Sequence, residues 1–149
     1  MINKIGDKWR DKKGFNEGDK EEYREDKISP IGNEISCVMY GIKSEDLSNN
    51  SKLENLLLEA AKQDSFKVLE KINHSFEPQG YTSVLLIQES HIAVHTYPEY
   101  GSLFFYLYSC RSRHDGRKTY QYFKDSLNPS SIDFKERDIV VEDKSPVSC

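Results

Sequence analysis

The spacing of apolar residues along the chain predicts two amphipathic helices. Leucine and alanine residues recur at i, i+3, i+4, i+7 and i+8 between Leu53 and Ala61, which places them on one helical face. The polar residues 48–51 just before them offer helix caps. A second helix is predicted over residues 116–127, with Asp115 as its N-cap and three inward-facing side chains, Tyr120, Phe123 and Leu127.

Runs of β-branched, aliphatic and aromatic residues predict strands in the rest of the chain. Turn residues around Pro78 and Pro98 separate several of these runs, as they do between neighbouring strands of a sheet. In the first run after the leucine-rich helix, Val68, Ile72 and Phe76 are expected on one side. The predicted strands span residues 35–42, 66–76, 81–87, 91–96, 102–109 and 132–141.

The order of these elements predicts an α+β fold. One helix follows the first strand, four strands come next, and the second helix precedes the last strand. Strands clustered between two helices are typical of a two-layer α/β sandwich with a mainly antiparallel sheet and both helices on one face. A doubly wound parallel sheet would need a more regular alternation of strands and helices.

Charge patterning divides the 149-residue chain into three segments. Residues 1–27 contain 16 charged side chains, eight of each sign, and few large apolar ones. Residues 1–30 are therefore predicted to be a charged, disordered extension. Residues 31–142 have the composition of one globular domain, and residues 143–149 that of a polar tail.

Composition also limits the classes of function. The net charge of −4 argues against nucleic acid as a partner, because nucleic-acid binding favours a basic face. No apolar run approaches the roughly 18 residues of a membrane span, and the sequence lacks a secretory signal pattern. We therefore expect a soluble cytoplasmic protein. Three scattered cysteines, Cys37, Cys110 and Cys149, fit neither a disulfide framework nor a CxxC zinc site.

The segment 88–101 concentrates the residues with candidate chemistry. Ser90, His91 and His95 lie there together with two glutamates. Two histidines on one side of a strand suggest a metal site, but no third ligand follows at a standard spacing, so we expect no metal. A Ser-His-acid hydrolase is a second idea, although the GxSxG elbow is absent. From spacing alone, histidines in the core or at the surface remain the more common interpretation.

The same segment resembles the prokaryotic S-adenosylmethionine decarboxylase proenzymes. Their pattern is ESH, then HTWPEYG a few residues later, then a cysteine at the end of the next strand. Here ESH spans residues 89–91, HTYPEYG spans residues 95–101, and Cys110 follows at the matching distance. The likeness runs from about Gly32 to Val141, with this motif at its centre.

The resemblance implies that the chain cuts its own backbone between Glu89 and Ser90. The Ser90 hydroxyl would attack the Glu89 carbonyl, and elimination from the resulting ester would give a β chain, 1–89, and an α chain, 90–149. Ser90 would become a covalent pyruvoyl cofactor at the start of the α chain. That ketone can form a Schiff base with the substrate amine and accept the electrons left when CO2 departs.

The resemblance also implies roles for three further residues in processing and catalysis. His95 corresponds to the histidine that promotes the elimination by proton transfer. Thr82 stands where the family commonly has a serine that helps to hold the cyclic intermediate of cleavage. Cys110 matches the acid that protonates the decarboxylated carbon, a role that suits a thiol.

The substrate implied by the resemblance is S-adenosylmethionine. Phe76 and Tyr97 align with an aromatic pair that stacks on adenine and attracts the sulfonium, and Tyr97 replaces the common tryptophan. Glu99 aligns with a carboxylate that accepts hydrogen bonds from the ribose hydroxyls. The product is the aminopropyl donor for spermidine synthesis, and the implied assembly is a homodimer of cleaved αβ protomers.

Departures from the family pattern leave two alternatives open. Glu34 stands where the family often has a histidine, and Arg111, Arg113 and His114 follow the cysteine where it often has glycine. This basic cluster could face solvent, or it could adapt the pocket to arginine or ornithine with the same pyruvoyl chemistry. The other alternative is a non-catalytic regulatory homologue, against which the retained serine, histidine and cysteine argue.

Overall fold

The computed structural model of the chain describes residues 31–142 and residue 144. The extension predicted over residues 1–30 and nearly all of the predicted tail lie outside the described residues. Among the helices of the described part, none combines the length and the apolar character that crossing a lipid bilayer requires.

Six strands form one sheet in which every neighbouring pair is antiparallel. Their order across the sheet is β2-β3-β4-β5-β1-β6, so the last strand lies beside the first. The strands are β1 (Ile31–Tyr40), β2 (Lys67–Ser75), β3 (Tyr81–Gln88), β4 (Ser90–Tyr97), β5 (Ser102–Ser109) and β6 (Ser131–Val140).

The helices α1 (Ser44–Leu47), α2 (Asn50–Gln63) and α3 (Arg117–Leu127) form the second layer. Their apolar faces pack against alternate residues of the sheet, and the fully buried core includes residues from both layers: Leu53, Leu57, Leu85, Ile92, Phe105 and Phe123. The remaining strand residues line a helix-free face, which carries His91, His95, Phe104 and Tyr106. The predicted two-layer α+β sandwich with an antiparallel sheet and helices on one face is confirmed.

The first strand differs from the prediction at both ends because sheet pairing overrides local composition. The first strand begins at Ile31, four residues before the apolar run, and ends at Tyr40. Its polar start is held in the sheet from both sides, since Asn33 pairs with Ser109 of β5 and Asp138 of β6. The short helix α1 was not predicted at all.

Strand β2 does not place Val68, Ile72 and Phe76 on one side as predicted. A β-bulge between Val68 and Glu70 changes the alternation. As a result Val68 packs against the core, whereas Ile72 pairs with Val84 and is 71% exposed on the helix-free face.

The prediction that Asp115 caps α3 is wrong. The N-cap is Gly116, whose φ of +89° and whose close approach to Leu107 suit a residue without a side chain. The first turn of α3 is capped from a distance by Asp64, which ends α2. Its Oδ2 accepts hydrogen bonds from the backbone N–H of Thr119 at 2.7 Å and from the Thr119 hydroxyl at 2.8 Å.

Replacing Asp64 by alanine is expected to lower the free energy of unfolding by about 1–2 kcal/mol, because the α3 N–H group loses its acceptor. Thermal unfolding followed by circular dichroism measures the change. Asp64→Asn is the matched control, since it keeps an acceptor oxygen and should lose less. Equal stability of Asp64→Ala and the unaltered chain would contradict this capping role.

Candidate active site

Ser90 and Cys110 meet at one end of strand β4. Ser90 is the first residue of β4, and Cys110 follows directly after β5. The two strands pair with Ser90 opposite Ser109, so Cys110 lies beside the serine. The Ser90 hydroxyl donates to the Cys110 Sγ at 3.5 Å, and both residues are half-buried.

The carbonyl oxygen of Glu89 lies against two donors from Cys110. The backbone N–H of Cys110 and its Sγ are each 3.4 Å from this oxygen. Paired donors on one carbonyl oxygen resemble an oxyanion hole, which stabilises negative charge as it develops there. We call Glu89, Ser90 and Cys110 the cleavage half-site, because the Glu89–Ser90 bond is the one that the sequence predicts to be cut.

Gly32 of β1 leaves the space in which the cleavage half-site fits. A Cβ atom at this position would lie 2.5 Å from the Ser109 carbonyl oxygen and 3.1 Å from the Cys110 Cα. A side chain there would displace the end of β5, and with it Cys110.

Thr82 and His95 form a second cluster on the helix-free face. They are opposite each other in the β3–β4 pairing, and Thr82 Oγ1 lies 2.9 Å from His95 Nδ1. The imidazole also stacks on Phe104, with ring centroids 6.1 Å apart. We call Thr82 and His95 the histidine half-site.

The two half-sites are far apart within one protomer. Ser90 and His95 are five residues apart on the extended strand β4, a separation of about 16 Å. A proton cannot pass directly between groups at this distance, because transfer requires hydrogen-bond contact. The structure thus brings Ser90 and Cys110 together, and separately Thr82 and His95, but it does not bring the two pairs together in one chain.

The three predicted substrate-binding residues lie near the histidine half-site. Phe76 follows β2, and its ring meets the His74 ring edge-on with centroids 4.5 Å apart. Tyr97 is the last residue of β4. Phe76 is 49% exposed and Tyr97 is 44% exposed. Glu99 is exposed in the short 3-10 turn Pro98–Tyr100. All three surround the end of β4 opposite the cleavage half-site.

Residues 33–138 match the sequence pattern of a protein family described as S-adenosylmethionine decarboxylase. The chain belongs to this family. It is 34% identical over 112 residues to the S-adenosylmethionine decarboxylase proenzyme of a Sulfurihydrogenibium species, covering 74% of this chain and 84% of that relative. It is 32% identical over 102 residues to the proenzyme of Caldicellulosiruptor saccharolyticus, covering 68% and 82% respectively.

A solved member of the family has the same architecture. The crystal structure of adenosylmethionine decarboxylase from Aquifex aeolicus superposes with a TM-score of 0.71 at 28% identity, covering 78% of this chain and 98% of that one. The predicted family membership is confirmed, and the fold agrees with that of the solved relative.

The basic cluster that departs from the family pattern pairs with carboxylates of its own chain. Arg111 binds Asp115, Arg113 Nε lies 3.4 Å from Asp138, and the His114 Nδ1 lies 3.1 Å from Glu136. These contacts give the three basic side chains a role within the domain. They therefore do not favour the alternative in which the cluster recognises arginine or ornithine.

Glu34, which replaces a histidine of the family pattern, forms a network on the helix-free face. Arg137 donates to both of its oxygens, at 2.9 and 3.4 Å, and these hydrogen bonds lower the pKa of Glu34. The Tyr106 hydroxyl donates to Glu34 at 2.9 Å; burial and this carboxylate raise the pKa of Tyr106 to about 12. Tyr106 therefore stays neutral, and its ring stacks on that of His91, the residue after Ser90, with ring centroids 5.4 Å apart.

The sequence interpretation named Arg111 and Asp115 but missed the contacts through which they support the residues on either side of Cys110. Ser109, Arg111 and Asp115 are joined by hydrogen bonds, and Arg111 also reaches the backbone of Asp64. The opposite charges of Arg111 and Asp115, four positions apart, were the local sign of a possible ion pair. The contact with Asp64, 47 residues away in sequence, had no local signal.

Proposed function

We propose that the chain is a self-cleaving S-adenosylmethionine decarboxylase that acts in the cytoplasm. It would use a pyruvoyl group formed from Ser90 to make decarboxylated S-adenosylmethionine, the aminopropyl donor for spermidine synthesis. The observation that carries the proposal is the cleavage half-site, in which the carbonyl next to Ser90 faces two donors from Cys110. Membership of the decarboxylase family supports it.

The first step of maturation is a shift of the Glu89 acyl group from nitrogen to oxygen. The Ser90 oxygen attacks the Glu89 carbonyl carbon, and the C–N bond breaks to leave an ester and a free amino group. The N–H and S–H of Cys110 stabilise the oxyanion that forms in between. Removal of the Ser90 α-proton then breaks the Cβ–Oγ bond of Ser90 and releases Glu89 as a carboxylate. The remaining dehydroalanine takes up water and loses ammonia to become the pyruvoyl group.

The backbone at the cleavage junction supports this chemistry. Ser90 has φ of +144°, a conformation that residues with side chains rarely adopt. Such a residue stores about 1–3 kcal/mol of strain and persists where the surrounding structure holds it. Breaking the Glu89–Ser90 bond would release that strain, so it favours the products of cleavage.

The surroundings of Ser90 fit a small ketone at this position. The absence of a side chain at Gly32 lets the end of β5 pack closely and so fixes the place of Cys110. The group would be held covalently beside Cys110. A pyruvoyl group supplies the electron sink that decarboxylation of an α-amino acid requires. The Cys110 thiol would return a proton to the carbon that loses CO2, and its distance of 3.5 Å from the Ser90 oxygen supports this role.

We further propose that a homodimer completes the reaction centre. Since the histidine half-site is about 16 Å from Ser90 in its own chain, the proton transfer needs the partner's His95. In a two-fold dimer each chain gives the same surface to the other, so both reaction centres form at once. The helix-free face suits such a contact, because Ile72 and Leu86 are 71% and 48% exposed there.

The exposed aromatic pair and Glu99 would bind the nucleoside. The faces of Phe76 and Tyr97 suit adenine and also attract the sulfonium cation. The Glu99 carboxylate can accept two hydrogen bonds from a ribose diol. Because these residues lie beside the histidine half-site, they would act on substrate attached at Ser90 of the partner subunit.

The substrate assignment is tested by CO2 release from carboxyl-labelled S-adenosylmethionine, arginine and ornithine under the same conditions. We expect release from S-adenosylmethionine to be faster by more than about 100-fold, because the site offers polar and aromatic contacts that fit a nucleoside. Faster release from either amino acid would contradict the assignment.

Glu99→Gln is the matched control for this assay. It keeps the size of the side chain and should raise KM for S-adenosylmethionine while leaving self-cleavage unchanged. Purified protein that matures but releases no CO2 from any of the three substrates would overturn the proposed activity.

A further inference from the structure

The side chain of Arg111, the residue after Cys110, points toward the protein interior. It is 17% exposed, and the side chain of Asp115 is 11% exposed. Its Nε donates to Asp115 Oδ2 at 2.7 Å and its Nη2 to Oδ1 at 2.8 Å, which is a two-pronged arginine–carboxylate pair. Nη2 also donates to the Asp64 carbonyl at 2.7 Å, and the guanidinium lies 4.0 Å over the Phe66 ring.

Asp115 also holds the residue before Cys110. The Ser109 hydroxyl donates to Asp115 Oδ2 and accepts the backbone N–H of Arg111 at 3.2 Å. The Asn33 amide donates to the Asp115 backbone carbonyl at 2.9 Å and ties the same turn to β1. Both neighbours of Cys110 are therefore fixed to one carboxylate. We call this arrangement the Arg111–Asp115 clamp.

We propose that Arg111 is a positioning residue that aims Cys110 at the Glu89 carbonyl and at the reacting atoms of Ser90. This inference rests on the proposed function. Both contacts from Cys110 to the Glu89 oxygen measure 3.4 Å, so a small displacement would break them. With both neighbours fixed, the direction of the Cys110 N–H and of its Cα–Cβ bond is set by the clamp.

The chemistry of Arg111 suits a clamp better than a lysine would. A planar guanidinium can bind both carboxylate oxygens, stack on Phe66 and reach the Asp64 carbonyl at the same time. The ammonium group of a lysine has the same charge, but it lacks the planar pair of N–H donors that binds two carboxylate oxygens at once. Arg111→Lys therefore removes the geometry of the contact while it keeps the charge beside Asp115.

Arg111→Lys is expected to slow self-cleavage by about 10–100-fold, because misplacing a reacting group by about 1 Å can cost two orders of magnitude. Cleavage is followed by intact mass in freshly synthesised full-length chain, and the turnover of the cleaved fraction by release of labelled CO2. The melting temperature of each variant is recorded so that rates are compared on folded protein. If Arg111→Lys does not fold, Asp115→Asn provides the same test.

The matched control is Arg113→Lys in the same turn. Arg113 pairs with Asp138 at 3.4 Å, and both side chains are more than one-third exposed. Since exposed ion pairs contribute little, this variant should cleave within about twofold of the unaltered rate.

A double-mutant cycle with Cys110→Ala separates positioning from general support of the fold. The proposal requires the clamp to aim the Cys110 thiol as well as the backbone N–H, which alanine at this position keeps. Arg111→Lys will therefore slow cleavage by a smaller factor when Cys110 is alanine. The same factor in both backgrounds, or an unaltered rate in Arg111→Lys, overturns the clamp and leaves the proposed function intact. An unaltered chain that never cleaves overturns both.

Discussion

Replacing Ser90 by alanine should leave the chain as one uncut polypeptide of about 17.3 kDa with no decarboxylase activity. The alanine has no oxygen to attack the Glu89 carbonyl, so the N-to-O shift cannot begin. Without cleavage no pyruvoyl group forms, and the electron sink for decarboxylation is lost. Intact mass spectrometry and release of labelled CO2 measure the two losses on the same sample.

Ser126→Ala is the control for the Ser90 experiment. Ser126 lies on α3, where its hydroxyl bonds the Tyr122 carbonyl, so its loss should leave cleavage and turnover unchanged. Two fragments ending at residue 89 and beginning at residue 90 are expected from this control, the second with a blocked, ketone-bearing start. Fragments of the same masses from Ser90→Ala would exclude the serine as the nucleophile.

The sequence predicted the architecture well because most of it follows from local patterns. The spacing of apolar residues from Leu53 to Ala61 fits a helix. The motif around Ser90 lies among apolar runs that are typical of strands. The family pattern also predicted functional roles for Ser90 and Cys110, and the β4–β5 register brings these two residues side by side.

Other features depend on contacts that no local pattern contains. The bulge at Val68 turns Ile72 to the helix-free face, which the period of the sequence alone did not indicate. Asp115 has the ideal residue type for an N-cap, yet it binds Arg111 because the end of α2 brings Asp64 to the same helix start. These choices between competing polar partners are made by tertiary packing.

The separation of Ser90 from His95 shows how a motif can mislead about distance. The two residues are five positions apart and appear as one cluster in sequence, but an extended strand carries them about 16 Å from each other. A helix would have brought them much closer, because its rise per residue is less than half as large. The strand assignment thus turns one apparent constellation into two half-sites.

Mixed dimers should cleave even though each of their chains is defective alone. Consider a dimer of a Ser90→Ala chain and a His95→Ala chain. The His95→Ala chain keeps Ser90, and the Ser90→Ala chain supplies the intact His95 to it across the dimer contact. We expect the His95→Ala chain to be cut and the Ser90→Ala chain to stay whole. One reaction centre of two is restored, so CO2 release should reach about half that of the unaltered dimer.

Two different affinity tags isolate these mixed dimers, and mass spectrometry identifies which chain is cut. Dimers of either variant with itself are the controls: Ser90→Ala should remain uncut, and His95→Ala should cleave much more slowly than in the mixed dimer. If Ser90 and His95 acted within one chain, mixing would restore nothing, since neither chain holds both. Cleavage confined to the chain that lacks its own histidine therefore has one physical explanation, which is proton transfer across the dimer contact.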